Sequence, residues 1–244
     1  MTYRAFTLVI PYYDNPTMFR EQQRQWRALP AEIRDSLHVV VVDDASPTSP
    51  AKKEVDPETA AALASFRLFR TKVDVRWNWI FCRNLGVEQA KTEWVLMTDM
   101  DHVIPSDTWR TLMREKLDSL CVYRLSRVAA PDMAERNPHP NTWVMTRHMF
   151  RERIGGYDER FSGIYGSDGI FHGRVDEWAK AIHVLDEVAI VYDDTVIADA
   201  STTRYGRKEQ SDREKKEEIK REIKSMGAGY EPRRLTFPWE QVAI

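Results

Sequence analysis

Short apolar runs alternate with amphipathic stretches through the first hundred residues. Phe6–Ile10 is an apolar-rich run closed by Pro11 and reads as a buried strand. Asn15-Pro16 opens a helix whose apolar stripe includes Phe19, Trp26 and Leu29, with Pro30 as its stop. Leu37–Val42, LHVVVV, is the clearest strand, since a nearly continuous apolar run suits a central parallel strand covered on both faces. It ends in the polar tip Asp43-Asp44-Ala45-Ser46. Residues 47–57 read as a loop, followed by a short helix from about Glu58 and a short strand around Phe66–Phe69. Trp77, Phe81 and Leu85 recur at every fourth position and predict a helix. Thr92–Thr98, TEWVLMT, is the next strand and ends in Asp99-Met100-Asp101.

The second half is less regular. Ser106 or Asp107 caps a helix reaching about Asp118, and Leu120–Val128 reads as a strand. Residues 129–141 form a polar loop with three prolines, and Thr142–Thr146 a short strand. Helical signal runs to Arg153 and breaks at Gly155-Gly156. An ordered loop over 157–169 leads to a helix from about Asp168 to Lys180, then to strands near His183–Leu185 and Val188–Tyr192. Residues 207–226 predict a highly charged helix that lies on the surface or packs by a thin edge, and the tail FPWEQVAI folds back through Phe237 and Trp239. Strands alternating with helices argue an α/β sheet. Ligands of such sheets bind beyond the carboxyl ends of the strands, and both acidic clusters fall at such ends.

Composition narrows this further. With 244 residues the chain supports one sizeable core, and 8 Trp, 9 Tyr and 9 Phe exclude general disorder. Its 36 basic and 38 acidic side chains give no bulk reason to bind nucleic acid or an anionic membrane. Cys82 and Cys121 make no disulfide framework and read as reduced, part-buried thiols of a cytosolic protein. The N-terminal apolar run is too short for a signal peptide or a membrane span, and no stretch of the chain is long and apolar enough to be one. Work at a membrane would be done from its surface.

Asp99 and Asp101, at i and i+2 after a strand, point the same way if strand geometry continues. Two nearby carboxylates repel unless a cation or proton lies between them. Mg²⁺ or Mn²⁺ suits that need and leaves positions for phosphate oxygens, so the ion neutralises charge on a departing diphosphate. The bland alternative is a solvated loop. Of Asp43 and Asp44, one suits the imide N–H of a uracil or a ribose hydroxyl while the other caps the turn; turn formation with Ser46 accounts for both without a ligand. Arg83 suits a phosphate or Asp99. Asn84, polar within a helix, points to a side-chain hydrogen-bonding role. The glycines of Gly155-Gly156-Tyr157-Asp158 and Gly163–Asp168 let backbone approach a ligand. Asp168 reads as a helix cap or as a general base. His102, His172 and His183 each read first as ordinary loop, surface or structural residues.

Four segments in order, TLVIPYYDNP, VVVVDDAS, RNLGVEQAKTEWVLMTDMD and RHMFRERIGGYDERFSGIYGSDGIFHGRV, resemble a family 2 type inverting glycosyltransferase with the GT-A nucleotide-sugar fold, over about residues 5–192. The resemblance implies one α/β domain with a predominantly parallel mixed sheet flanked by helices. Residues 1–200 would be catalytic, with a nucleotide-sugar half to about 104 and an acceptor half after it; 201–244 would be a charged helix and tail packed on or near that domain. It implies donor contacts from Pro11, Tyr13, Asp43, Asp44, Arg83, Asp99 and Met100, and Mn²⁺ or Mg²⁺ on Asp99 and Asp101. Gly155, Gly156, Tyr157, Asp158, Ser167 and Arg174 would border sugar and acceptor, with Asp168 as base. The partners implied are a nucleoside-diphosphate sugar, most commonly a UDP-sugar, and a hydroxyl acceptor that the sequence leaves open among glycan, lipid-linked and small-molecule types. The expected place is the cytoplasm, with the periphery of a membrane as alternative.

Two departures stand out. Ser167 occupies the place of an acidic residue before Asp168. No histidine lies near the last strand, so Asp193, Asp194, Asp199 or water would stand in, with Asp199 the candidate third metal ligand. The alternatives are a non-catalytic nucleotide-sugar or glycan-binding module and a sugar nucleotidyltransferase. The second needs a Gly- and Lys/Arg-rich loop after the first strand, where PYYDNP stands. The absence of G-x-G-x-x-G there disfavours hydride transfer.

Overall fold

The most continuous apolar runs form the middle of a single sheet. The computed structural model describes residues 3–164, 168–201 and 212–244. Strands β1 (Phe6–Tyr12), β2 (Leu37–Asp43), β3 (Ser65–Thr71) and β4 (Trp94–Met97) are parallel in the order β3-β2-β1-β4. Helices α1 (Pro16–Ala28), α2 (Ala31–Arg34), α3 (Pro57–Ala61) and α4 (Trp79–Glu88) lie in the connections between them. The sheet continues through β5 (His102–Val103), β6 (Val122–Ala129), β7 (Ala134–Arg136), β8 (Trp143–Thr146), β9 (Ile182–Val191) and β10 (Trp239–Val242), giving the order β10-β3-β2-β1-β4-β8-β6-β9-β5 with β7 on β6. β8 is antiparallel to both β4 and β6, so β6 again runs parallel to β4. The fold is therefore a mixed α/β sheet, parallel through its nucleus and antiparallel at β10, β8, β7 and β5.

The alternation of β1 divides the core. Phe6, Leu8, Ile10 and Tyr12 face a cluster with Phe19 and Trp26 of α1 and with Trp109 of α5 (Ser106–Arg114). Val9 faces the other side, with Ile80 and Val87 of α4, Phe150, Tyr157, and Phe171 of α6 (Gly169–Trp178). α4 presses closely on the sheet: a Cβ at Gly86 would stand 2.2 Å from Val9 Cγ1.

Several boundaries differ from the sequence expectations. The two strands expected over 183–192 are one, β9, because a register irregularity between Leu125 and Ser126 accommodates Asp186 and Glu187. The helical stretch before Gly155 is a π-helix, Met149–Ile154, ended by Gly155 at φ 85°. The 129–141 loop contains β7. The charged helix is described as α7 (Arg213–Met226); its expected start at 207–211 lies outside the described residues. It packs by one edge, through buried Ile219 and an Arg160–Glu222 ion pair of 2.9 Å. The tail adds β10 to β3, with Phe237 against Phe81 and Trp239 against Phe69. Cys82 and Cys121 are unpaired, and both are buried rather than part-buried. Among the described residues no helix is long and apolar enough to cross a membrane.

Gly86→Ala should therefore lower stability by about 1–3 kcal/mol through overpacking, read as a fall in the urea midpoint. An unchanged midpoint would mean that α4 does not sit this close to β1.

Candidate active site

β1 lies between the two acidic tips. Asp43 pairs in register with Tyr12 on one flank; on the other, the Thr98 amide donates to the Val9 carbonyl just before Asp99. Both tips sit at the carboxyl edge of the parallel strands, two strand spacings apart, or roughly 10 Å.

The adjacent aspartates divide two tasks. Asp43 is saturated: Oδ1 accepts from the Ser46 amide at 2.8 Å, and Oδ2 from the Ala51 amide at 2.9 Å and Arg70 at 2.7 Å. It folds the 44–51 loop. Burial raises its carboxyl, against the pull of these donors. Asp44 accepts from the Asn78 amide at 2.9 Å through Oδ2, while Oδ1 is sheltered and has no partner. Burial pushes this carboxyl well above its usual range, and the Asn78 amide does not offset it. Both polar atoms of the Asn78 side chain are also buried and unmatched. Buried polar groups without partners are uncommon and call for a ligand or water. Tyr13 is half-buried nearby, with its hydroxyl 3.4 Å from Asp74 and its pKa pushed up to about 12 by burial first and by Asp74 next. Pro11 pairs in register with Val42.

Arg83, on α4, has no exposed side-chain surface. It donates to Asp99 Oδ1 and to the Asn141 carbonyl, lies 3.4 Å from the Tyr157 hydroxyl, and stands over the Trp79 ring at 5.0 Å. Asp99 Oδ2 is 3.4 Å from His139 Nε2. Burial would raise the Asp99 carboxyl, but Arg83, His139 and His102 outweigh it and hold it at about 2. Burial pushes His139 down to about 3 against the pull of Asp99. Asp101 Oδ1 is 2.6 Å from Nδ1 of the buried His102, whose ring lies 4.2 Å from that of His139. Met100 is buried in the core, and its carbonyl accepts from Gln22 at 2.8 Å.

Among the described residues, no group of three or more His, Cys, Asp or Glu side chains is arranged to hold a metal. Asp199 is occupied elsewhere, accepting from the Thr17 and Met18 amides at the start of α1 at 2.7 and 2.8 Å. The remaining donors suit an ion that arrives on a diphosphate, since Mg²⁺ sites use one or two carboxylates together with substrate phosphates. Asp99 and the partly exposed Asp101 are the residues that would hold such an ion.

Across from them, Gly155 and Gly156 adopt φ 85° and 75°, which favours glycine. Tyr157 is buried, stacked on Phe171 at 3.9 Å, with its amide on Asn84 Oδ1. Burial raises its hydroxyl to about 12 against the pull of Arg83. Asp158 is held by Arg160 and by the Tyr230 hydroxyl at 2.8 Å. Arg174 donates to the Ile154 carbonyl and covers the Tyr230 ring. These two therefore brace the loop. Asp168 is half-buried at the start of α6, and its side chain caps none of the helix amides. Its charge is felt at Tyr157. Ser167 lies outside the described residues.

Sequence reasoning missed His139, Asn78 and Asn141. His139, Asn141 and Thr142 come from one segment: His139 reaches Asp99, the Asn141 carbonyl accepts from Arg83, and Thr142 Oγ1 is 2.8 Å from Thr98 Oγ1. The available signal was the short His-Pro-Asn-Thr run just before a strand.

A family model described as Glycosyl transferase family 2 matches residues 7–174. No curated protein matches the chain. Among solved structures, S. aureus TarS 1–349 in complex with UDP-GlcNAc is similar at TM-score 0.62 and 16% identity, covering 78% of this chain and 58% of that one. The same TarS fragment in complex with UDP gives 0.61 and 16%, covering 93% and 72%. The mannosyltransferase PcManGT from Pyrobaculum calidifontis, in complex with GDP-Man and Mn²⁺, gives 0.57 and 22%, covering 78% and 57%. This chain thus spans under two thirds of the first and third of these proteins. At these identities the likeness shows the fold.

Because burial raises Asp44, the native state holds its proton more tightly than the unfolded chain does. Its contribution to stability is therefore fullest below about pH 4 and declines as pH rises from there towards its native value. Asp44→Asn should match the parent near pH 4 and be the more stable of the two at pH 7 in urea titrations without ligand. A variant less stable at every pH would mean that the carboxylate is paired in the native protein.

Proposed function

This chain belongs to glycosyl transferase family 2, and on that premise we propose that it transfers a sugar from a nucleoside-diphosphate sugar to a hydroxyl acceptor with inversion at the anomeric carbon. The observation that carries this reading is the position of Asp44 and of Asp99–Asp101 at one sheet edge on either side of β1. Structures of similar fold hold UDP-GlcNAc in TarS and GDP-Man with Mn²⁺ in PcManGT. Uridine is the nucleoside proposed here: the unmatched Oδ1 of Asp44 is an acceptor for an imide N–H, and Tyr13 is near enough to feel the charge of Asp44. The cytoplasm is the proposed place of the reaction.

Each side chain then has a defined task. Asp43 shapes the nucleoside loop. Arg83 fixes the rotamer of Asp99 and counters its charge. Asp99 and Asp101 would hold Mn²⁺ or Mg²⁺ through the donor diphosphate, and the ion would supply charge neutralisation on that leaving group. The backbone of Gly155, Gly156 and Tyr157 borders sugar and acceptor, while Asp158 and Arg174 brace that wall. Asp168 takes the proton of the acceptor hydroxyl as its oxygen attacks the anomeric carbon. The new glycosidic bond forms as the bond to the diphosphate breaks, and the diphosphate leaves with that electron pair.

The proposal is tested by thermal shift with UDP and Mn²⁺, and by diphosphate release from a UDP-sugar across an acceptor panel. Asp168→Asn should leave the thermal shift intact and lower transfer at least ~100-fold, the scale of a lost general base. Undiminished transfer in that variant would assign the base elsewhere. Asp101→Asn should remove the metal-dependent part of the thermal shift. Donor binding without diphosphate release under any condition would leave a nucleotide-sugar binding module instead.

A further inference from the structure

Arg127 and Arg136 stand directly opposite each other in the antiparallel β6–β7 pair. Like charges in that position are destabilising; the charges of Asp101 and Asp193 offset this from a distance, without an ion pair. Among the described residues, neither arginine has a carboxylate within ion-pair distance. Arg127 is half-buried, and its Nε is sheltered without a partner. Arg136 is exposed and donates to the neighbouring Glu135 carbonyl, at 3.1 Å. Burial lowers the Arg127 pKa, Asp101 pulls the other way, and Arg136 adds a smaller lowering. Asp193 is near enough to feel Arg136. Arg124, three residues earlier, is by contrast used by the fold: it donates to the Pro138 and His139 carbonyls at 3.0 Å and covers Trp143.

The location gives the pair a meaning. Since β6 runs parallel to β4, Arg127 lies towards the same carboxyl edge as Asp99. Backbone hydrogen bonds run from Ala130 to Val191 and from Tyr192 to Asp101, which ties the hairpin to the acidic motif. Along the sheet the order is Asp44 just after β2, Asp99 after β4, then Arg127 on β6, two strands further on. A donor lying with its nucleoside at Asp44 and its diphosphate at Asp99–Asp101 leaves the arginines two strands beyond the diphosphate, on the side away from the nucleoside.

We propose that Arg127 and Arg136 form a subsite for an anionic group, phosphate or carboxylate, carried by the acceptor. This rests on the donor orientation proposed above. Two facing guanidinium forks suit such a group because each offers paired N–H donors to its oxygens. The acceptor class is accordingly a hydroxylated molecule or polymer that bears phosphate or carboxylate close to the hydroxyl that is glycosylated.

The test titrates sn-glycerol 3-phosphate, D-glucuronate and uncharged glycerol into the full chain, by calorimetry, with and without saturating UDP and Mn²⁺. The parent should bind one or both anions and not glycerol; which anion binds decides between phosphate and carboxylate. Arg127→Gln with Arg136→Gln should weaken the anion at least ~10-fold while UDP affinity stays within about twofold, and the double lysine variant should recover part of the loss. Arg136→Gln alone should leave the melting temperature unchanged or raise it, because it relieves like-charge repulsion. The proposal is overturned if the parent binds neither anion, if the double glutamine variant binds it as well as the parent, or if UDP affinity falls with it, which would assign the pair to the donor. A marked drop in melting temperature on Arg136→Gln would also overturn it, as that would give the pair a structural role. Absence of UDP binding by the parent would defeat the donor reading, and the titration without UDP would still judge the arginine pair.

Discussion

A guanidinium with no surface in water sits at the centre of this molecule. Removing a charge from solvent costs several kcal/mol unless partners replace the lost hydration. Arg83 is compensated by Asp99, the Asn141 carbonyl, the Tyr157 hydroxyl and the face of Trp79. Each partner comes from a different segment: the tip of β4, the lead-in to β8, the loop after the π-helix, and α4 itself. The requirement to satisfy one buried charge thus draws together the pieces that would surround a diphosphate and a sugar. Asp99 is oriented before any ligand arrives, the pre-organisation that an electrostatic site needs.

A second buried charge extends the same logic to the end of the chain. Glu159, only 3% exposed, accepts from Asn84, from the Leu235 and Thr236 amides, and from the Thr236 hydroxyl, at 2.6–2.9 Å. Asn84 adjoins Arg83 and also holds the backbone of Tyr157. The tail therefore belongs to the same network as Arg83 and Tyr157, and β10 with Phe237 and Trp239 secures it against β3 and α4. Asp43 is a third case, in which a buried carboxylate spends both oxygens on the 44–51 loop while Oδ1 of the adjacent Asp44 stays unmatched.

What was legible in the sequence follows from how local the signal is. β2 shows in six consecutive apolar-rich residues, and its acidic tip and that of β4 follow directly from where those strands stop. Which aspartate of Asp43-Asp44 shapes the turn was not legible, because it depends on Arg70 and Ala51, 27 and 8 residues away. His139 was read as part of a polar loop, and only the antiparallel entry of β8 beside β4 carries it to Asp99. β7 and the Arg127–Arg136 pair were invisible for the same reason: cross-strand register is a property of two segments. His102, read as an ordinary loop residue, is buried because Asp101 and His139 enclose it.

The central claim is that one crevice, walled by the tips of β2 and β4, holds a nucleoside diphosphate. The most direct measurement is a crystal structure of the chain soaked with UDP and Mn²⁺. The account predicts the base against Asp44 and the diphosphate, with its ion, at Asp99 and Asp101. A nucleotide bound on another face of the sheet, with Asp44 Oδ1 still unmatched, would contradict it.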